Sequence, residues 1–408
     1  MELFHLFSIL IVLSAGFAYF NFRFLKLPGT IGLMLISLVF SLFILLIGYF
    51  FPSFHQLLAS VIKKVDFSEL LLEGMLSFML FAGAIHITYA DLKSEKLSIL
   101  LYSTISVIIS TIIIGFTSFY LLNFFDIHIT LIQALLFGAL ISPTDPIAVL
   151  NILKSAGVPK SLETKMAGES LFNDGVAVVV FITILKLAQA DGNFSTVDVL
   201  LLFGREAMGG ILLGVIVGVA GYKLIASIDN YQVEVLITLA IVMGGYTIAH
   251  FLHVSGPLAM VAAGLITGNE GKQYGMSQIT AEYVNKFWEL IDEVLNAMLF
   301  VLIGLELLVI ETNKTLLLVS FVLIFISIIT RYISLYMPSV LILLKHKVTR
   351  KTLYILTWGG LRGGISIALA LSIQPEMNRD IWVTITYIIV CFSILVQGLT
   401  IGSLAKKI

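Results

Sequence analysis

Charge is what this 408-residue chain has least of: Asp, Glu, Lys and Arg together make up 12% of it, about half the share of a soluble domain. So little polar surface excludes a cytosolic enzyme and a disordered chain. Neither sign of charge dominates, since the net charge is −1, and no nucleic-acid partner is expected without a basic surface. Cysteine occurs once, at Cys391, which excludes an internal disulfide, a cysteine-based metal site and an iron–sulfur cluster. Zinc-protease, phosphate-loop and serine-hydrolase motifs are missing from the sequence. What the chain has is apolar residues, 59% of the total, with a mean hydropathy of +1.05. One membrane span takes about 20 apolar residues, so the length accommodates roughly a dozen spans and no sizeable soluble domain.

Polar breaks divide the sequence into about thirteen apolar segments, read as helices because a barrel would need many short alternating strands. The expected spans are 3–20, 28–51, 67–90, 97–122, 131–153, 164–190 and 200–228, then 232–251, 254–269, 284–310, 315–343, 350–374 and 380–404. No basic residue precedes the first apolar stretch while Arg23 and Lys26 follow it, so it reads as a retained span rather than a signal peptide. Most Lys and Arg, from Arg23 and Lys26 to Lys406 and Lys407, follow odd-numbered spans; only Lys63, Lys64, Lys314 and Arg379 follow even-numbered ones. The positive-inside rule then puts the amino terminus outside and the carboxyl terminus in the cytoplasm. The sequons at Asn193 and Asn313 fall outside by the same count. Thirteen spans divide as six, one and six, and two six-span halves that start on opposite sides can be inverted repeats, with spans 5 and 12 in correspondence.

Polar residues at membrane depth are costly and mark functional candidates. Span 5 carries GALISPTDPIAVL, with Thr144 and Asp145 between Pro143 and Pro146. Two prolines three residues apart break a helix. Span 12 carries WGGLRGGISIALAL, where Gly359, Gly360, Gly363 and Gly364 surround Arg362. A pair of Pro- or Gly-interrupted spans at matching positions points to a midplane transport site. Broken helices present partial charges at their ends, which Asp145 would balance at the amino ends and Arg362 at the carboxyl ends. Span 6 carries KMAGESLFNDGVAVVVF, in which Ser170, Asn173 and Asp174 share one helix face and eleven apolar or hydroxyl residues follow Asp174. A carboxylate held away from bulk water takes either a proton or a small cation, which is the chemistry of exchange and requires no cofactor. Arg331 lies deep in span 11 and needs an acid partner, for which Glu169 is available. Glu73, in LLEGMLSFML, is either an accessory ligand or a residue at the headgroups; Glu306, in FVLIGLELLVI, reads as an interface residue. An intramembrane enzyme would pair Ser170 with a histidine, and none lies in this polar cluster. A channel would need a continuous pore with rings of charge or carbonyls, so a cation channel ranks behind a carrier.

SPTDPIAVL, GESLFNDGVAVVVF, FVLIGLEL, WGGLRGGISIALAL and VQGLTIGSLAKK, in this order over the whole chain, resemble the NhaP-type monovalent cation:proton antiporters of the sodium/proton exchanger family. The resemblance implies a thirteen-helix, all-α antiporter fold with two inverted six-helix repeats and broken crossing helices. It implies an ion-carrying core bundle, placed at 97–190 and 315–404, and a dimerisation scaffold of 1–90 and 200–310. Asp174 falls on the position of the carboxylate that binds the transported Na+ or a proton in turn. Asn173, Ser170, Thr144 and Asp145 fall on positions around the ion, and Glu169 with Arg331 on those of a structural ion pair. The Asn-Asp pair implies electroneutral one-for-one exchange of sodium or lithium for a proton, with potassium the alternative. A homodimer among lipids of the plasma membrane, in a bacterium the inner membrane, is the expected setting. One departure concerns the third span: where several relatives carry an acid, LFAGAIHI places Ala82 and Gly83, and Glu73 lies more than two turns earlier.

Overall fold

The computed structural model describes residues 3–51, 67–189, 196–310, 313–343 and 349–407. Lys63, Lys64, Lys345 and Lys347 of the charge asymmetry and the sequon at Asn193 lie outside those residues. Among the described residues the secondary structure is helical throughout, apart from one isolated β-bridge. That follows from composition, because in an apolar solvent each backbone amide must be satisfied within its own segment.

In chain order the helices are α1 (Leu3–Phe20), α2 (Gly29–Phe50), α3 (Leu76–Ile85, reached through a π-helical turn at Leu70–Met75), α4 (Tyr89–Ser103) and α5 (Ile105–Phe124). Next come α6 (Leu131–Ile141), α7 (Ile147–Ser155), α8 (Lys160–Gln189), α9 (Thr196–Ile225), α10 (Tyr231–Leu252), α11 (Gly256–Ile266) and α12 (Gln278–Glu306). The chain ends with α13 (Lys314–Leu343), α14 (Arg350–Gly359), α15 (Gly364–Leu371), α16 (Arg379–Phe392) and α17 (Gly398–Lys407). Nine described helical stretches are long and apolar enough to cross a membrane. The other four expected spans are the interrupted pairs α6/α7 and α14/α15, the stretch around α11, and α12, whose acids lower its hydropathy.

The fourth span starts earlier than expected. Residues 91–96 were expected between spans, yet they belong to α4, because the Thr88 side chain accepts a hydrogen bond from the Asp91 amide and caps the helix. The third span correspondingly stops at Ile85 rather than near residue 90. The Lys272 ammonium donates to the Ile85 carbonyl at 2.6 Å, and Asn269 donates to the carbonyl of Ile87 and accepts from the amide of Tyr89. These contacts satisfy backbone groups that a longer helix would have paired internally.

Packing places the polar elements in the interior. Helix α5 packs on α6 and α13, α8 on α4 and α6, and α13 on α16. On the other side α9 packs on α10 and α11, α11 on α3, and α12 on α2. The outward faces of α1, α2, α9 and α10 carry exposed Phe, Leu, Ile and Val residues, the surface a lipid-facing helix needs.

Candidate functional site

The site is built around two interrupted helices that cross. Pro143 and Pro146 lack amide hydrogens, so α6 stops at Ile141 and the chain is non-helical until α7 begins at Ile147. Helix α14 stops at Gly359 and α15 starts at Gly364. The two breaks meet where the Asp145 amide donates to the Leu361 carbonyl at 2.8 Å. Two glycines permit this approach. A Cβ on Gly363 would lie 2.7 Å from the Asp145 Cβ and 2.8 Å from its Oδ2; one on Gly360 would lie 2.9 Å from Arg331 Nε. The Asp145 side chain therefore rests at the amino-terminal edge of α15, where the first amides have no helical acceptor.

Arg362 serves the opposite polarity. Its guanidinium donates to the carbonyls of Ser142 at 2.7 Å and Pro143 at 3.0 Å, just beyond the carboxyl end of α6. Its own amide donates to Ser393 Oγ, which donates in turn to Gln397. At 3% exposure this cation is held by carbonyl dipoles, and it has no access to headgroups.

Helix α8 passes beside the crossing. Asn173, fully buried, donates from Nδ2 to Thr144 Oγ1 at 2.9 Å, which joins α8 to the break after α6. Its Oδ1 has no hydrogen-bond partner among the described residues. Asp174 follows it at 9% exposure, and Ser170 lies one turn earlier, also buried. One residue further back, Glu169 Oε1 lies 2.6 Å from the Arg331 guanidinium of α13. A cavity of about 10 Å³, room for one water, lies against Arg331, Thr357, Gly360 and Arg362.

The structure thus brings Thr144, Asp145, Asn173, Asp174, Ser170, Glu169, Arg331 and Arg362 into one region. Glu73 is not among them: it is exposed on the π-helical turn before α3. Glu306 corrects the interface expectation, for it is 8% exposed at the end of α12. Sequence reasoning also passed over Asp292 and Asn296, in FWELIDEVLNAM. The test that singled out Asp174, charge at membrane depth, would have found Asp292, since 292 falls within the expected span 284–310; the neutral Asn296 gives no such signal.

A family model described as "Sodium/hydrogen exchanger, transmembrane" matches residues 9–407. The chain belongs to the sodium/hydrogen exchanger family. It is 48% identical over 407 residues to the Na(+)/H(+) antiporter NhaP of Pseudomonas aeruginosa, covering 98% of this chain and 95% of that protein. It is 34% identical to the Na(+)/H(+) antiporter NhaH of Halobacillus dabanensis, over 95% of this chain and 93% of that one. The solved structure of the sodium proton antiporter MjNhaP1 from Methanocaldococcus jannaschii superimposes with a TM-score of 0.77 at 21% identity, covering 100% of this chain and 99% of that chain. That likeness shows the fold: the chain is a multi-pass membrane protein with the sodium/proton antiporter fold.

Proposed function

We propose that this exchanger family member carries sodium or lithium in exchange for protons, one cation for one proton, at the carboxylate of Asp174. The observation that supports it is the state of that carboxylate. Asp174 is 9% exposed in mid-helix, and among the described residues no hydrogen bond or ion pair to its side chain is found. A buried charge without a partner is costly, so the side chain requires either a proton or a cation, and one site cannot hold both at once. Asn173, Ser170 and Thr144 supply neutral oxygens around it, and Asp145 adds negative charge, its field reaching Asp174.

In this reading Asp174 itself does the coupling. With a proton or cation bound the site is nearly neutral and can pass through the bilayer; empty, it is an uncompensated charge and the movement is blocked. The moving part is the bundle of residues 97–190 and 315–404, shifting against residues 1–90 and 200–310, which also form the surface of a homodimer. Glu169 and Arg331 neutralise each other inside the moving part, and Arg362 and Asp145 neutralise the helix ends, so that Asp174 alone changes charge. The amino terminus lies outside and the carboxyl terminus in the cytoplasm of a plasma membrane. Potassium in place of sodium is the second reading, because neutral oxygens and one carboxylate do not by themselves exclude the larger ion.

The test is recovery of a quenched pH dye in acid-loaded proteoliposomes, with sodium, lithium, potassium and choline added in turn. Sodium and lithium are expected to drive proton efflux and choline to drive none; a response to potassium alone would select the second reading. Asp174→Asn is expected to abolish all of it while the protein still folds. Persistent sodium-driven flux in that variant would overturn the assignment.

A further inference from the structure

The mechanism above uses residues of α6 to α8 and α13 to α15 and leaves unused a line of polar residues on α12. Glu289, Asp292, Asn296 and Leu299 fall at i, i+3, i+7 and i+10, one face of that helix. Leu299 seats that face on the crossing, since a Cβ on Gly364, the first residue of α15, would run into its side chain. Going back along the face, Asn296 is buried, Asp292 half-buried and Glu289 exposed.

An exposed acid on a span cannot face hydrocarbon, so Glu289 faces water. The groups around it show where on the molecule it stands. Glu289, Lys272 and Lys154 all act on His86, the residue that caps the end of α3, and Lys154 stands in the last turn of α7. Glu289 therefore stands near the end of α3 and the end of α7, and α7 leads directly back to Pro146 and Asp145. At the deeper end, the charge of Asp145 acts on Asp292 as it does on Asp174. Asn296 is the independent sign of a ligand. It is 3% exposed, its Nδ2 donates to the Asp292 backbone carbonyl at 2.8 Å, and its Oδ1 has no partner among the described residues. A buried carbonyl oxygen left unpaired is a vacancy for a donor or a cation.

We propose that Asp292 and Asn296 form an entry site for a monovalent cation, which binds there before passing to Asp174 from the side on which α12 begins. The carboxylate of Asp292 attracts the ion from the water that Glu289 faces, and the Asn296 Oδ1 replaces one of its water molecules. Because α12 lies outside the proposed moving bundle, the site serves Asp174 only when Asp174 faces that side. The inference rests on the reading of Asp174 as the carrier.

Membrane vesicles of the two orientations test it, with sodium-driven proton flux measured against sodium concentration. Asp292→Asn is expected to raise the apparent sodium KM on the order of tenfold, the scale of local ion enrichment by a charged cleft, in the orientation that presents the start of α12 to the added sodium. In the opposite orientation the KM should stay at its parent value. Asp292→Glu should keep the low KM, and adding Asn296→Asp to Asp292→Asn should restore it by returning a carboxylate one turn deeper. If Asp292→Asn does not reach the membrane, Asn296→Ala is expected to give the same one-sided rise. An unchanged KM in both orientations, or an equal rise in both, overturns the proposal. Exchange that survives Asp174→Asn would instead remove the carrier reading.

Discussion

Arg331 and Glu169 are an ion pair with side chains 5% and 2% exposed, and at that depth water cannot rescue either charge if the other is removed. Losing one partner of a buried pair costs about 3–5 kcal/mol, whereas removing both charges can be close to neutral. Arg331→Ala is therefore expected to lower the melting temperature of the detergent-solubilised protein by several degrees. Glu169→Gln combined with Arg331→Gln should recover part of that loss. Additive losses in the single and double variants would show that the two residues are not energetically coupled. Asn173 and Thr144 work at the same scale with a different consequence: their hydrogen bond at 2.9 Å ties α8 to the break after α6.

Among elements, the crossing of the two interrupted helices is the feature most sensitive to volume. Gly363 lies against Asp145, and a methyl group there would force apart the strand-like segments that meet at Asp145 and Leu361. Gly363→Ala is expected to cost about 1–3 kcal/mol, the usual range for overpacking, and to abolish or strongly slow exchange. Gly244→Ala in α10 is the control: no atom lies within 4 Å of its added methyl, and Ala is favoured over Gly inside a helix by roughly 1 kcal/mol. Comparing the two melting temperatures and flux rates checks the assignment. Equal behaviour of the two variants would mean that the crossing tolerates movement that its packing does not suggest.

For the whole molecule, the proposed competition of cation and proton for the Asp174 carboxylate would set the response to pH and to voltage. At low pH protons fill the site and cation loading is slow; at high pH protons are scarce and the return step limits turnover. Exchange should trace a bell against pH, and acid on the cation side should raise the apparent cation KM. If exchange is one cation for one proton, as proposed, one positive charge replaces another and the rate is expected to ignore a membrane potential set by potassium and valinomycin. A rate rising steadily with inside-negative potential would require more than one proton per cation and a second titrating acid. Asp292, half-buried on α12, is then the group to replace first. Glu73, exposed and remote from the crossing, comes after it.

Hydropathy and composition were enough to determine an all-helical membrane protein, because an apolar chain in lipid has few ways to satisfy its backbone. The prolines around Thr144 and Asp145 and the glycines around Arg362 likewise announced two broken helices, since their effect on a helix is local. Depth along a span could not be read so simply. Glu306 looked interfacial because it sits near the end of an apolar run, yet neighbouring elements bury it. Residues 91–96 looked like a loop because they are charged, yet a threonine cap and the contacts of Asn269 and Lys272 decide where α3 ends and α4 begins. Which carbonyls Arg362 would reach, which side of α12 would face the crossing, and that Asn296 would keep an unpaired oxygen there depend on segments far apart in sequence. Those contacts exist only once the helices have packed, and only the tertiary structure decided them.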